Sequence, residues 1–356
     1  MDMKLFTIGP VEMYPETLEI RARQIPYFRN QSFSRVVLES SEMLKNLLDA
    51  PADSECIMLT CSGTGGMEAA VMNCLGINDR ALVIDGGSFG NRFCEILQTH
   101  GIPYDRVKVP EGEALSSDLL DAADGGCHTA LLVNYDETST GQLYDIEMLA
   151  DYCHRNSLTF IVDAISAFLS DPLSMRASDI DAVIVSSQKA LALAPGLSCV
   201  VLSPRMKERI LSSDECPSYY FDFKSYISNG KRGQTPFTPA VGVIYELHQR
   251  LGSLISNGGA AVEIARVKAI ANDFRQRVIE LPVELPSYPI SNALTPLILR
   301  SGGARALLDK LEQDGFVLNP CGGKHSDDMV RVAHVGNHSV SNNIELVEAM
   351  TRALLN

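Results

Sequence analysis

Between residues 56 and 202 the chain alternates short apolar runs with stretches whose apolar residues recur at helical spacing. The runs Cys56-Ile57-Met58-Leu59-Thr60, Ala81-Leu82-Val83-Ile84, Thr129-Ala130-Leu131-Leu132-Val133, Thr159-Phe160-Ile161-Val162 and Ala182-Val183-Ile184-Val185 read as strands, with 104–109 a weaker one and 197–202 one more. Helices are predicted over 67–75, 91–99 and 146–155. Short apolar strands alternating with amphipathic helices predict an α/β unit built on a mostly parallel sheet. In such sheets ligands bind beyond the carboxyl ends of the strands.

The flanks read differently. An extended arm runs through Thr7-Ile8-Gly9-Pro10, a short helix covers 15–25, Arg29 lies in a polar loop and 33–49 is amphipathic. From about residue 255 a second pattern begins: a long helix over 260–280, a strand at 294–299, a helix at 304–313, a strand at 329–333 and a closing helix at 343–355. The expected division is an arm and large unit over 1–255 and a small C-terminal α+β unit over 256–356.

Composition narrows the partners. Of 356 residues, 46% are hydrophobic and 21% charged, as in globular chains, and the net charge of −14 opposes binding to nucleic acid or to an anionic membrane. There is no apolar run of about 18 residues and no basic-then-apolar leader, so neither a spanning helix nor a secretory signal is expected. The nine cysteines show no C-x-x-C or Cys/His metal spacing. Reduced thiols, a cytoplasmic location and no metal site are expected.

Three positions carry candidate chemistry. Ser62-Gly63-Thr64-Gly65-Gly66 joins a strand to a helix; it fits a phosphate cradle and equally an ordinary glycine-rich turn with a hydroxyl cap. It is neither a P-loop nor G-x-G-x-x-G. Asp163 closes one strand, either capping a turn or pairing with a cationic nitrogen. Lys189 follows the strand 182–185 through Ser186-Ser187-Gln188, a place where a surface lysine is also common. Together, a phosphate cradle, a carboxylate and a lysine at strand ends are what pyridoxal phosphate requires. The lysine forms the Schiff base, the carboxylate keeps the pyridine nitrogen protonated, and the ring takes up the electrons of the substrate carbanion.

The motifs Gly9-Pro10, Ser62-Gly63-Thr64, Phe89-Gly90-Asn91-Arg92, Glu137-Thr138-Ser139-Thr140-Gly141, Val162-Asp163, Ser187-Gln188-Lys189, Thr235-Pro236-Phe237-Thr238-Pro239 and Val330-Arg331-Val332 occur in this order over nearly the whole chain. In this it resembles the class V aminotransferases of the fold-type I pyridoxal-phosphate enzymes, and among them the alanine–glyoxylate and 2-aminoethylphosphonate–pyruvate transaminases. The resemblance implies that Ser62, Gly63 and Thr64 hold the cofactor phosphate with Gln188 nearby. It implies that Phe89 stacks on the ring, Thr138 donates to its phenolic oxygen, Asp163 pairs with its nitrogen, and Lys189 binds the cofactor and moves the proton. Thr235 and Thr238 would reach the phosphate of a neighbouring subunit, making the active unit at least a homodimer; a proline-framed turn, with Pro236 and Pro239, is the alternative. Arg331, inside an apolar strand, needs an anionic partner. The resemblance makes it the clamp for the substrate carboxylate; a structural ion pair is the alternative. Gly9 and Arg29 would line the same mouth.

The expected activity is transfer of an amino group from a small amino acid or amine to pyruvate or glyoxylate, with 2-aminoethylphosphonate as an alternative donor. A second reading is a cysteine desulfurase or related lyase using Cys321 in Asn319-Pro320-Cys321-Gly322-Gly323. Against it, Gln188 and Phe89 stand where desulfurases carry histidine, and no histidine adjoins Cys321. A third is a catalytically silent pyridoxal-fold binding protein, favoured by no residue. His128 and His154 read as surface residues, whereas His334 and His338 fit either surface or substrate roles.

Overall fold

The computed structural model describes residues 3–123, 125–213 and 218–355. Its strands are β1 (Lys4–Phe6), β2 (Glu55–Leu59), β3 (Ala81–Asp85), β4 (Tyr104–Lys108), β5 (Ala130–Asn134), β6 (Asp136–Glu137), β7 (Gln142–Leu143), β8 (Thr159–Asp163), β9 (Ala182–Ser186), β10 (Ser198–Leu202), β11 (Val283–Glu284), β12 (Leu294–Leu299), β13 (Phe316–Pro320) and β14 (Met329–Ala333).

Seven strands form the large sheet, in the order β2-β10-β9-β8-β5-β3-β4. Only β10 runs against its neighbours. The mostly parallel mixed sheet expected from the pattern is therefore present. Its central strands are apolar throughout because both faces are covered. Along β9, Val183 and Val185 enter one core layer while Ala182 and Ile184 enter the other. Leu131 and Val133 face the first layer from β5, and Ala130 and Leu132 the second.

A second sheet has the order β1-β13-β14-β12-β11. The expected extended arm starts as one of its strands: β1 pairs parallel with β13, Leu5 against Val317. β13 itself escaped the pattern because it is a short edge-side strand ending in Asn319-Pro320. Phe6 from the arm and Phe274 from the helix Gly259–Arg277 pack into the core of this smaller sheet. The same helix places Val267 in the core of the large sheet, so one rigid rod joins both layers.

That rod also carries a buried ion cluster. Glu263 accepts from Arg250 at 2.7 Å and from Arg266 at 2.8 Å, and the Arg250 guanidinium lies 4.1 Å from the centre of the Tyr14 ring. Arg250 and Glu263 are both buried. Removing one partner leaves uncompensated buried charge, which costs roughly 3 kcal/mol or more. Glu263→Ala should therefore lose about that much stability in denaturant unfolding, whereas Glu42→Ala, removing an exposed partner of Lys45, should cost under about 1 kcal/mol.

Candidate active site

Strand ends on one edge of the large sheet and the turns after them build one cavity. Its walls include Ser62, Gly63, Thr64, Phe89, Arg92, Thr138, Asp163, Ser166, Gln188 and Lys189. β2 leads into the helix Gly63–Cys74, whose N-cap is Ser62, the hydroxyl accepting from the Gly65 amide at 3.5 Å. The helix starts within the glycine run, earlier than the expected 67. It does so because its first turn lies tight on the sheet: a Cβ on Gly66 would fall 2.1 Å from Ser198 Oγ, and one on Gly63 would fall 2.6 Å from Ile165 Cδ1. The open amides and positive end of this helix face the cavity side where an anion binds best.

Asp163 closes β8 and is buried. Its Oδ2 accepts from Asn134 Nδ2 at 2.6 Å and its Oδ1 from the Ile165 amide at 2.8 Å. Burial pushes this carboxyl up to about 6, against the opposing pull of those two hydrogen bonds and of Lys189. Lys189 is partly open to the cavity, but desolvation pulls its amine down to about 8. The charges of Asp136 and Asp163 act against that shift, and those of Arg331 and Arg92 act with it.

The surrounding groups are held firmly. Thr138 Oγ1 and Ser166 Oγ are 2.9 Å apart, and Ser166 donates to the Asp136 carbonyl at 3.4 Å. Gln188 Oε1 accepts from Ser186 Oγ at 2.5 Å. Glu137 receives the amides of Phe89 and Gly90, fixing the aromatic's position. Gly9 approaches so closely that a Cβ there would sit 2.9 Å from Lys189 Cδ. The arm therefore lies against the lysine stem.

Arg331 projects from β14 and donates to the Thr138 carbonyl at 2.8 Å and the Pro320 carbonyl at 2.6 Å. Its buried Nε has no acceptor. Among the described residues no carboxylate lies within ion-pair distance of Arg331.

Arg29, Thr235 and Thr238 are not brought to this cavity within one chain. Arg29 donates to the carbonyls of Thr235 (2.9 Å) and Pro236 (3.3 Å). Thr235 is buried, its hydroxyl donating to the Phe237 carbonyl at 2.7 Å, and Thr238 is exposed. His334 and His338 are both buried: His334 Nε2 lies 2.7 Å from Thr295 Oγ1, and His338 Nε2 lies 2.9 Å from the Leu5 carbonyl. His128 is half-buried and faces Asp105 at 2.9 Å, the two forming with Cys127 the one acid–thiol–imidazole group close enough for a metal ion among the described residues. Arg80 already occupies that Asp105 carboxylate.

Sequence reasoning gave no role to Asn134, Ser166, Arg92 or Asp136. Arg92 donates to Thr64 Oγ1 at 3.2 Å, with its guanidinium 4.8 Å from the centre of the Phe89 ring. It lies one helical turn after Phe89, which is the signal that places it at the cradle. Asn134 ends a strand beside Asp163, and only the pairing of β5 with β8 shows that neighbourhood. Asp136 and Ser166 had no comparable local signal.

A glycine-rich helix start, a lysine amine and a buried carboxylate meet at one cavity on this fold. The model of the family "Aminotransferase class-V" matches residues 22–277. The chain belongs to the class-V aminotransferase family. It is 29% identical over 348 residues to the soluble hydrogenase 42 kDa subunit of Anabaena cylindrica, covering 94% of this chain and 89% of that protein. It is 29% identical to the L-aspartate–glyoxylate aminotransferase of Paracoccus denitrificans, over 77% of this chain and 70% of that one. Against the 2-aminoethylphosphonate–pyruvate transaminase of Pseudomonas putida it is 30% identical, over 72% and 69%. The aspartate aminotransferase of Thermus thermophilus superposes with a TM-score of 0.91 at 26% identity, covering 99% of both chains.

The buried acids make a pH prediction. Burial holds Asp136 up at about 8, and Asp163 and Asp171 at about 6, all above the ordinary aspartate value of about 4. Stability from raised carboxyls is present below the unfolded value and is lost as pH rises through the folded one. Lys189 is depressed, so its contribution is present above its unfolded value and is lost as pH falls toward about 8. These four groups together place a stability minimum near pH 8. Asp136→Asn should raise the thermal midpoint of the cofactor-free chain more at pH 8 than at pH 5.

Proposed function

We propose that this chain is a pyridoxal-phosphate-dependent transaminase moving an amino group from a small amino acid or amine to pyruvate or glyoxylate. The observation that carries the reading is the convergence of Lys189, Asp163 and the helix end at Ser62-Gly63-Thr64 on one cavity, with Arg331 short of an anionic partner beside it. The donor set fits the cofactor. The helix end and Arg92 suit its phosphate, Phe89 and Thr138 suit its ring face and phenolic oxygen, and the buried Asp163 carboxylate suits a protonated ring nitrogen. When bound, pyridoxal phosphate supplies an electron-withdrawing ring that stabilises the carbanion left when the donor loses its Cα proton.

The residues divide the remaining work. Lys189 Nζ, lowered toward neutrality by desolvation, would take the Cα proton of the donor and deliver it to C4′ of the cofactor before the keto acid is released. Arg331 fixes the donor carboxylate through paired N–H groups, orienting the Cα–H bond toward Lys189. Gln188, which lines the same cavity, would lie near the phosphate. Gly9 lets the arm cover the lysine stem and exclude water. We further propose that 256–356 acts as the substrate-clamping unit against 1–255, and that the enzyme is a cytoplasmic homodimer. In the dimer Thr235 and Thr238, with Arg29 behind them, would reach the partner's site. Exposed Ile25, Tyr27 and Tyr219 near that segment support a covered face.

The alternative donor is 2-aminoethylphosphonate, the substrate in the name of the Pseudomonas relative. Desulfurase chemistry is disfavoured because burial raises the Cys321 thiol despite Arg331 beside it, reducing the thiolate that sulfur transfer needs.

A donor and acceptor panel followed by the yellow absorbance of the holoenzyme tests the reading. Alanine with glyoxylate or pyruvate should bleach and restore the colour; a response to 2-aminoethylphosphonate alone would replace the donor, and no turnover with any pair would sink the proposal. Lys189→Ala should lose roughly 10²-fold or more in turnover. Arg331→Gln should weaken kcat/KM for carboxylate donors by about 10- to 100-fold while sparing cofactor binding. Equilibrium sedimentation should give twice the chain mass, and a monomer would remove the cross-subunit role of Thr235 and Thr238.

A further inference from the structure

The helix Ser88–Thr99 starts after Gly87, which has no side chain to cap it. Its first amides are nevertheless all taken, by residues from a distant part of the chain. The Ser88 amide donates to Ser139 Oγ at 3.0 Å, the Phe89 amide to Glu137 Oε2 at 3.1 Å and the Gly90 amide to the same oxygen at 3.0 Å. Glu137 Oε1 accepts from the Ser139 amide at 3.1 Å and from the Ser139 hydroxyl at 2.5 Å. The approach is close: a Cβ on Gly87 would fall 2.5 Å from Glu137 Cδ and 2.3 Å from Ser139 Oγ. Glu137 is 1% exposed, and a buried carboxylate engaged by this many donors holds them in directional geometry.

Little else holds the aromatic that these bonds place. Phe89 is half-buried, and among the described residues its ring belongs to none of the apolar cores. Its ring contact is the Arg92 guanidinium, 4.8 Å from its centre. Yet Phe89 lines both the cavity of Lys189 and Asp163 and a larger neighbouring cavity, of about 950 Å³, that reaches Arg331. Glu137 also bears on Arg331. Its carbonyl accepts from the Thr140 amide at 3.0 Å and the Gly141 amide at 2.7 Å, closing the turn that carries Thr138. Thr138 Oγ1 meets Ser166 Oγ, and the Thr138 carbonyl accepts from Arg331 at 2.8 Å.

We propose that Glu137 is a positioning residue acting through Phe89 and Thr138: one carboxylate fixes the aromatic that faces the cofactor ring and the turn that supports the Arg331 clamp. This rests on the cavity of Lys189 being the cofactor site. A residue that only capped the helix would stabilise the fold without setting where the Phe89 ring lies.

The chain has no tryptophan, so Phe89→Trp supplies a single indole at this position. In the full chain carrying it, without added cofactor, Glu137→Ala should raise acrylamide quenching of that indole at least about twofold, as expected when the segment loses its anchor. Glu137→Gln, which keeps the volume and one acceptor oxygen, should lie between, and it is read alone if the alanine variant does not fold. Asp145→Ala removes a comparable cap from the helix Ile146–Asn156 and should lower the thermal midpoint without changing the quenching. Unchanged quenching in a folded Glu137 variant, or an equal rise in Asp145→Ala, would overturn the proposal. In the enzyme with Phe89 intact, Glu137→Gln should raise the donor KM roughly 10-fold through Arg331; an unchanged KM would overturn that half. A chain that never turns yellow with pyridoxal phosphate would defeat the proposed function and leave the indole to decide this inference. A yellow, active enzyme whose Glu137 variants leave the indole unmoved would defeat this inference alone.

Discussion

Desolvation at the carboxyl edge of the large sheet governs this site. The Lys189 amine and the carboxyls of Asp136, Asp163 and Asp171 are removed from water, and burial is the largest influence on each. Left to itself such a cluster is unfavourable, since a low-dielectric surrounding penalises every charged form. The sheet makes it tolerable by supplying donors from adjacent strand ends: Asn134 from β5 and the Ile165 amide after β8 both serve Asp163. Strand order, and not sequence proximity, brings these groups together.

The arm and the second sheet are tied to the same place. β1 pairs with β13, and a few residues later Gly9 rests against Lys189, so the strand that extends the small sheet also walls the large one. Arg331 crosses in the other direction, from β14 to the Thr138 carbonyl. Asp171 adds a third link: it accepts from Ser291 Oγ at 2.5 Å and from the Asn292 amide at 3.1 Å, just ahead of β12. Polar contacts of this kind have directional geometry and few alternatives, so they set how the second sheet sits on the first more specifically than apolar packing does.

Much of this was legible beforehand. The strands at 56–60, 81–84, 159–162 and 182–185 announced themselves because burial on both faces demands unbroken apolar runs. Ser62-Gly63-Thr64, Asp163 and Lys189 could be read because strand-end chemistry has a compact local form. β13 could not, being short and set by its pairing with β1 and β14. Arg29 and Thr235 illustrate another limit. Their residue types fitted a site, and within one chain they hold each other instead.

The sequence by itself determined the alternation of elements and the chemical types at the strand ends, because periodicity and local turn chemistry are properties of neighbouring residues. Tertiary structure alone decided that Asn134 serves Asp163, that Arg92 reaches Thr64, and that Asp136 is buried with no hydrogen-bond partner for its carboxylate. Those facts depend on strand order, burial and distance across the fold, none of which is carried by residues adjacent in the chain. The strand that leads to Lys189 was visible in the sequence; the charged groups that surround its amine were not.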